Sequence, residues 1–321
     1  MISVSKPRPG SALGRGLFVG LLIALVLLLA GCDGFEGRAE DNYAKGKALF
    51  EEGDFDRAAL ELKNALQIDE QLAGAWYLLG RVEERERRYP RAYGNYSKAI
   101  EIDPAQHDAR TRRGLLLLAS GAADKAQEDI DTVLAAQPDH ADALAARATL
   151  KRKQGDDAGA EADALQALQI DPANVGAALF LASLETERGN LAAAEQVLQD
   201  AIRLNPDNAA PRLILGSVYN RMQDVDGAIG VLEGLVEQFP DSFAYRLRLS
   251  SYLAQQKRTD AAEQVLRDAL TLAPEDSERQ RALLAFLSTQ RDAAAAEAEL
   301  ASLREQFPES VELKFIQSGM Q

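Results

Sequence analysis

The sequence has little of the material from which catalytic and metal sites are built. Among its 321 residues there is one cysteine, Cys32, and there are two histidines, His107 and His140. A single cysteine excludes an intramolecular disulfide framework and any multi-cysteine zinc or iron–sulfur site. Glycine-rich phosphate loops, nucleophile elbows and HExxH helices do not occur in the sequence. We therefore expect no catalytic site, no metal site and no cofactor, and a protein that is not an enzyme.

Aromatic residues and basic residues are scarce as well. Aromatics make up 6% of the chain, and 36 lysines and arginines face 50 aspartates and glutamates, for a formal net charge of −14. Nucleic-acid phosphates would have to approach against this negative field. The composition thus argues against a nucleic-acid partner, and so many carboxylates make any single pair uninformative as a catalytic pair.

The N-terminal segment differs in kind from the rest of the chain. Residues 1–15 contain Lys6, Arg8 and Arg15 and no acidic residue, and an uninterrupted weakly polar to apolar run of 14 residues follows at 17–30. A membrane-spanning helix needs about 20 apolar residues. The run therefore suits the hydrophobic region of a secretory signal better than a spanning helix.

The residues after that run, Leu29-Ala30-Gly31-Cys32, resemble the lipobox of bacterial lipoproteins. In that family a diacylglycerol is linked to the cysteine by a thioether, the signal is cut before it, and the new N-terminus is acylated. The resemblance implies a signal peptide at 1–31, lipidation of Cys32 and a lipidated tether at 32–38. Such acyl chains hold a protein on a membrane without crossing it. A retained anchor helix with an incidental cysteine is the alternative.

The residue after the cysteine bears on which membrane carries the protein. In enterobacterial lipoproteins an aspartate directly after the lipidated cysteine is a signal for retention in the inner membrane, and Asp33 resembles that signal. Asp33 therefore favours the periplasmic face of the inner membrane over the outer membrane of a bacterial envelope.

A period of 34 residues runs through the remainder of the chain. Alanine recurs on this period without a gap, at Ala58, Ala92, Ala126, Ala160, Ala194, Ala228, Ala262 and Ala296. Proline recurs on the same period at Pro104, Pro138, Pro172, Pro206, Pro240, Pro274 and Pro308. Starting the unit at residue 39 gives eight repeats over 39–310 with no insertion.

Each block contains two stretches with apolar residues three and four apart, which predicts two amphipathic helices. A short polar turn such as Gly53-Asp54 separates them, and the recurring proline ends the second helix. Small residues at positions 8, 20 and 27 of the repeat mark where the helices approach closely. Because a single helix pair cannot bury both faces, stability must come from stacking successive pairs.

The period and its pattern resemble the tetratricopeptide repeat. The second repeat shows the family's characteristic residues most clearly, at Trp76, Leu79, Gly80, Ala92, Tyr96, Ala99 and Pro104. The resemblance implies an all-α fold, a right-handed α-solenoid of eight such repeats, with 311–321 as a capping helix or a truncated ninth repeat. Lys45 and Arg113 depart from the pattern, since both take the usually apolar position 7.

In this family the ligand contacts come most often from positions 2, 5, 9, 12 and 13, on the concave face formed by the first helices. These positions place basic and aromatic residues on the predicted groove: Tyr43, Lys47, Tyr77, Arg81, Arg85, Arg152, Lys153 and Arg221. Our hypothesis is a groove that receives an acidic or carboxylate-bearing segment of a protein partner, with the tyrosines and the apolar run Leu115 to Leu118 adding apolar contact. The alternative is that these charges are ordinary solvated helix charges paired with nearby glutamates.

Two sharper hypotheses can be weighed against the same positions. The carboxylate clamp that some members of the family use on chaperone C-termini is absent, because the required lysine, asparagine and arginine pattern is not found in the first three repeats. His107 and His140 lie at equivalent starts of successive first helices and could form a two-histidine metal site. We prefer an exposed histidine at each helix start beside Asp108 or Asp139.

The preferred prediction is a membrane-anchored periplasmic scaffold or adaptor that binds envelope proteins. The segment Lys47 to Leu66 resembles the first repeat of lipoproteins from exopolysaccharide and exosortase systems, which favours a role in exopolysaccharide export or envelope assembly. A polysaccharide- or ligand-binding lipoprotein, and a non-catalytic subunit of an envelope enzyme complex, are the competing classes. The fourth repeat, rich in alanine, is the place where we expect local opening first.

Overall fold

The computed structural model describes residues 37–313, and these form a succession of helices joined by short turns. The predicted signal peptide, Cys32, Asp33 and most of the predicted tether lie outside the described residues, as does the C-terminal segment from 314 onward. The chain divides into two compact units, one reaching to Leu150 and the other beginning at Lys151. The division falls inside the alanine-rich fourth repeat.

The first unit contains helices α1 (37–52), α2 (Phe55–Ile68), α3 (Ala73–Arg85), α4 (Tyr89–Ile102), α5 (His107–Ala119), α6 (Ala123–Ala136) and most of α7 (Ala141–Lys153). Each odd-numbered helix is the first helix of a repeat and each even-numbered helix the second. Helices α2 to α6 pack consecutively, each on the next in the chain.

The second unit contains α8 (Asp157–Ile170), α9 (Val175–Arg188), α10 (Leu191–Leu204), α11 (Ala209–Met222), α12 (Val225–Gln238), α13 (Phe243–Gln255), α14 (Thr259–Leu272), α15 (Ser277–Gln290) and α16 (Ala293–Gln306). A further helical segment begins at 311 and is described only as far as 313. Consecutive helices pack here too, and first helices of successive repeats also touch directly, α9 on α11 and α13 on α15. The all-α solenoid of helix-turn-helix repeats that the sequence predicts is confirmed.

The recurring alanine at position 20 is buried between helices in both units. All eight of these alanines are no more than 1% exposed. Glycine at position 8 avoids a steric clash in the second repeat, because a Cβ on Gly80 would come within 2.5 Å of the ring of Tyr96. Small residues at these positions therefore let a fully buried Tyr96 fit between the two helices of its repeat.

Glycine at position 15 followed by aspartate at position 16 shapes the turn in the first and fourth repeats, and glycine alone recurs in the third and fifth. Glycine at position 15 takes a left-handed conformation, with φ of 86° at Gly53 and 84° at Gly189. The following aspartate accepts a hydrogen bond from a backbone N–H in the first turn of the second helix, as Asp54 does from Arg57 and Asp156 from Gly159. Such a cap satisfies one of the backbone donors left free at the start of a helix.

Arg113, which takes a usually apolar position, is accommodated by an ion pair. Its guanidinium donates to both carboxylate oxygens of Asp129 on α6, at 2.8 Å and 2.7 Å. Arg110 adds a longer contact of 3.4 Å to the same carboxylate, whose side chain is only 4% exposed. The departure from the repeat pattern is thus compensated by an acidic residue on the paired helix.

Candidate functional site

The aromatic and basic residues of the first two repeats come together on the first helices α1 and α3. We call Tyr43, Lys47, Tyr77, Arg81 and Arg85 the arginine face. The Tyr43 hydroxyl lies against Gly74 at the start of α3, where a Cβ would come within 2.5 Å of it. Burial, and to a lesser degree the charge of Glu40, raises the pKa of Tyr43 above its usual value. Tyr43 therefore joins the two helices with its hydroxyl kept neutral.

Aromatic rings hold the two arginines in place. The Arg81 guanidinium lies 5.4 Å from the ring centroid of Phe50 and 5.8 Å from that of Tyr77, and it donates a 2.9 Å hydrogen bond to the Tyr77 hydroxyl. The Arg85 guanidinium lies 4.3 Å from the ring centroid of Phe55. Cations stacked on ring faces in this way are attracted by the ring quadrupole and lose conformational freedom.

Within residues 37–313 neither arginine forms an ion pair with a carboxylate, although the charge of Glu84 helps to raise the pKa of Arg81. Glu84, the acidic residue next to them on α3, accepts a 2.6 Å hydrogen bond from the Tyr96 hydroxyl and lies 3.7 Å from Arg112. Partial burial and the charge of Arg81 lower the pKa of Arg85. The arginine face therefore presents two adjacent positive charges with hydrogen-bond donors still available to an incoming acid.

The other predicted groove residues differ in what they contact. Lys47 lies 4.0 Å from Glu51 with both side chains exposed, a geometry that contributes little. Arg152 forms ion pairs with Glu187 and Asp157. Lys153 is exposed at the end of α7, and Arg221 is exposed on α11 with no ion pair or hydrogen bond in the described part of the chain. Among the predicted groove residues, Arg152 is thus paired with carboxylates, whereas Arg221 is not paired within the described residues.

The apolar run on α5 contributes less to the surface than the sequence suggests. Leu117 is 8% exposed and Leu118 is 2% exposed. Leu116 packs against the buried cluster around Tyr96. Most of this run therefore stabilises the core of the first unit, and only Leu115 and Leu116 keep part of their surface.

The histidines do not form a metal site with each other. His140 uses both ring nitrogens, Nε2 at 3.1 Å from the carboxylate of Asp108 and Nδ1 as acceptor from the N–H of Ala143 at 3.2 Å. Between residues 37 and 313, no group of three or more metal-ligating side chains is assembled. His140 lies beside an aspartate at the start of its helix as predicted, but the predicted exposure is wrong, because its side chain is only 12% exposed.

Two clefts in the second unit were not singled out by the sequence analysis. The upper cleft, of about 560 Å³, lies between the first helices α11 and α13, and the lower cleft, of about 720 Å³, lies between α13 and α15. Leu247, Ser251 and Gln255 line both clefts. The signal that could have revealed them is the run of small residues at position 9, Ser217, Ser251 and Ala285, which leaves the first-helix surface open.

Comparisons with known protein families identify the repeat. A profile described as TPR repeat matches 46–84. Profiles described as tetratricopeptide repeat match 111–175, 146–209, 185–250 and 244–276. The chain is a tetratricopeptide repeat protein. No curated protein sequence matches it significantly.

Solved structures share the fold at low sequence identity. Yeast Tom70 aligns with a TM-score of 0.56 and 19% identity, over 88% of this chain and 57% of Tom70. The APC/C hetero-tetramer Cut9-Hcn1 aligns with a TM-score of 0.53 and 17% identity, over 86% of this chain and 54% of the other. A tetratricopeptide repeat protein from Parabacteroides merdae aligns with a TM-score of 0.47 and 20% identity, over 78% of this chain and 99% of the other. This chain spans little more than half of the first two, and the likeness concerns the fold.

Tetratricopeptide repeats are typically non-catalytic scaffolds that bind protein partners, and this coarser part of the functional prediction is supported. None of the helices between 37 and 313 combines the length and the apolar character that crossing a membrane requires. The lipid anchor and the cellular location therefore remain predictions from the N-terminal sequence.

Proposed function

We propose that this repeat protein is a lipid-anchored scaffold of the bacterial envelope that recruits an acidic segment of a partner protein through its arginine face. The observation that carries the proposal is the pair Arg81 and Arg85, each stacked on an aromatic ring and neither in an ion pair with a carboxylate in the described residues. Two positive charges held in place attract an acidic segment, and binding it costs less side-chain conformational entropy than it would with two mobile lysines.

The membrane part of the proposal is supported by the lipobox-like residues Leu29 to Cys32 and by Asp33. The protein would be held by acyl chains on Cys32 at the periplasmic face, most simply of the inner membrane. A role in exopolysaccharide export or envelope assembly agrees with the first-repeat resemblance. The proposed role is binding, without a reaction catalysed by this chain.

The experiment for the recruiting surface is chemical crosslinking in native membranes followed by mass spectrometry. The double variant Arg81→Glu with Arg85→Glu should lose the crosslinked partner, because the surface then repels an acid. Arg91→Glu is the matched control, since Arg91 is an exposed arginine on the second helix α4 and not on the arginine face. Equal partner recovery from the double variant and from the control would contradict the proposal.

The anchor is tested separately. Cys32→Ser should release the protein from membranes on carbonate washing and abolish incorporation of labelled palmitate. Retention of the variant in the membrane would contradict lipid anchoring and favour a retained helix. Binding of the purified chain to envelope polysaccharides, in place of a crosslinked protein, would favour the competing class of polysaccharide-binding lipoproteins.

A further inference from the structure

The upper cleft in the second unit is unusual in its charge. None of the residues that line it is acidic, although 50 of the 321 residues of the chain are aspartate or glutamate. Its charged lining residues are Arg212 on α11 and Arg248 on α13. The cleft is therefore a local positive region on an acidic protein.

The arginines of this cleft have donors to spare. Arg248 is exposed and makes no hydrogen bond or ion pair within residues 37–313. Arg212 donates one 2.6 Å hydrogen bond to the carbonyl of Pro206, which uses one of its five N–H donors. An arginine fork of this kind matches the geometry of a carboxylate.

The rest of the lining combines apolar and amide groups. Leu213 and Leu247 stand on the two facing first helices, and Leu247 is 37% exposed. The Tyr252 hydroxyl donates a 2.6 Å hydrogen bond to the side-chain oxygen of Asn220, which ties α13 to α11 across the cleft. The amide nitrogens of Asn220 and Gln255 make no hydrogen bond in the described part of the chain. Both amides thus keep N–H donors for a ligand in the cleft.

The upper cleft continues into the lower one. Leu247, Ser251 and Gln255 on α13 line both, so the two clefts run side by side over α11, α13 and α15. The upper cleft alone is within the size range of ligand sites in proteins. A linear pair of open clefts suits an extended chain better than a compact small molecule.

We infer that the two clefts bind an extended peptide segment of a partner protein, with an acidic side chain on Arg248 and Arg212 and an aliphatic side chain between Leu213 and Leu247. This second binding site rests on the proposed scaffold function and adds to it, because it lies in the second unit and does not involve Arg81 or Arg85. The partner would then bind to two separate surfaces of this protein.

The test uses the full-length chain in lipid nanodiscs and a fluorescein-labelled peptide of eight residues. The peptide contains two leucines and two glutamates separated by glycine and serine, and its matched analogue has glutamine in place of glutamate. Fluorescence anisotropy should show about tenfold tighter binding of the acidic peptide, with an affinity that falls as salt is added. Equal affinities of the two peptides, or no binding of either to folded protein, would overturn the inference.

Substitutions test whether the peptide binds in the upper cleft. Arg248→Gln should weaken binding of the acidic peptide by about fivefold to tenfold and leave the glutamine analogue unchanged. Arg203→Gln is the control, because Arg203 is an exposed arginine on the second helix α10. Ser251→Trp should block the cleft, whereas Ser183→Trp, at the same repeat position in α9, should not. Equal effects of variant and control in either pair would place the binding elsewhere.

The outcome is separable from that of the scaffold proposal. If the peptide fails to bind while a partner is still crosslinked in a way that depends on Arg81 and Arg85, the inferred second site is contradicted and the scaffold proposal is retained. If the peptide binds and no partner is found in membranes, the scaffold proposal falls while the cleft keeps its assigned chemistry.

Discussion

The two units use the same repeat to make different surfaces. In the first two repeats, positions 5 and 12 of the first helices include Tyr43, Tyr77 and Phe50, and these rings fill the space between helices and contact Arg81. In α11 and α13 of the second unit the same positions hold leucine, asparagine and alanine, and an open cleft lies between these two helices. Side-chain size at a few repeat positions therefore decides whether the first-helix surface is a filled, charged face or an open cleft.

The interior of the first unit should be the most sensitive to truncation. Tyr96 is fully buried and bonds to Glu84, so Tyr96→Ala should lower the free energy of unfolding by about 3–5 kcal/mol. Tyr93→Ala, at a residue that is 39% exposed on the same helix, is the control and should change it by less than about 0.5 kcal/mol. Denaturant unfolding measures both. Similar losses for the two variants would show that Tyr96 does not hold the repeat together.

The glycines at position 8 offer a matched test of filled against open packing. A Cβ at Gly80 would come within 2.5 Å of Tyr96, whereas the first contact of a Cβ at Gly216 is Val231 at 3.8 Å. Gly80→Ala should therefore lower the free energy of unfolding by about 1–3 kcal/mol. Gly216→Ala should raise it by up to about 1 kcal/mol, because alanine favours the helix. Equal shifts in thermal unfolding would contradict the difference between the units.

The turns at position 15, by contrast, should behave alike in both units. Arg87 in the first unit adopts φ of 58° and Gln223 and Lys257 in the second adopt φ of 60°, which costs a side chain about 1–2 kcal/mol. Arg87→Gly and Gln223→Gly should each raise the free energy of unfolding by about 0.5–1 kcal/mol, and Gly53→Ala and Gly189→Ala should each lower it by a similar amount. Gln256, one residue before Lys257, has φ of −83°, so Gln256→Gly should be destabilising. A gain in stability from Gln256→Gly would mean that backbone conformation is not the cause.

The smallest effect should come from the contact between His140 and Asp108. The hydrogen bond that the His140 Nε2–H donates to the Asp108 carboxylate raises the pKa of His140, and the same contact lowers the pKa of Asp108. The raised histidine value means that this stabilisation is complete below the unfolded value of about 6.5 and is lost as pH rises through the folded value. Asp108→Asn should lower the pKa of His140 in an NMR titration and flatten stability over this range. An unchanged histidine titration would contradict the contact.

The sequence predicts the fold of this protein better than its surface. The 34-residue period locates the helices and the buried alanines, because position 20 meets the same neighbours in every repeat. It does not reveal that Arg81 stacks on Phe50 or that Asp129 compensates Arg113, because each contact depends on a side chain from another helix. The sequence does not reveal the clefts either, because small residues at position 9 open a cleft only where the neighbouring first helices leave space beside them.

We propose that the first helices of the repeats recruit the partner and that the second helices do not. The most direct measurement places a photo-crosslinking amino acid at Lys47 on α1 or at Lys63 on α2, two exposed lysines of the same repeat. Irradiation of intact cells should give a discrete crosslinked protein at Lys47 that disappears with the double variant Arg81→Glu and Arg85→Glu. A crosslinked band of equal strength from Lys63, or a Lys47 band that survives the double variant, would contradict the account.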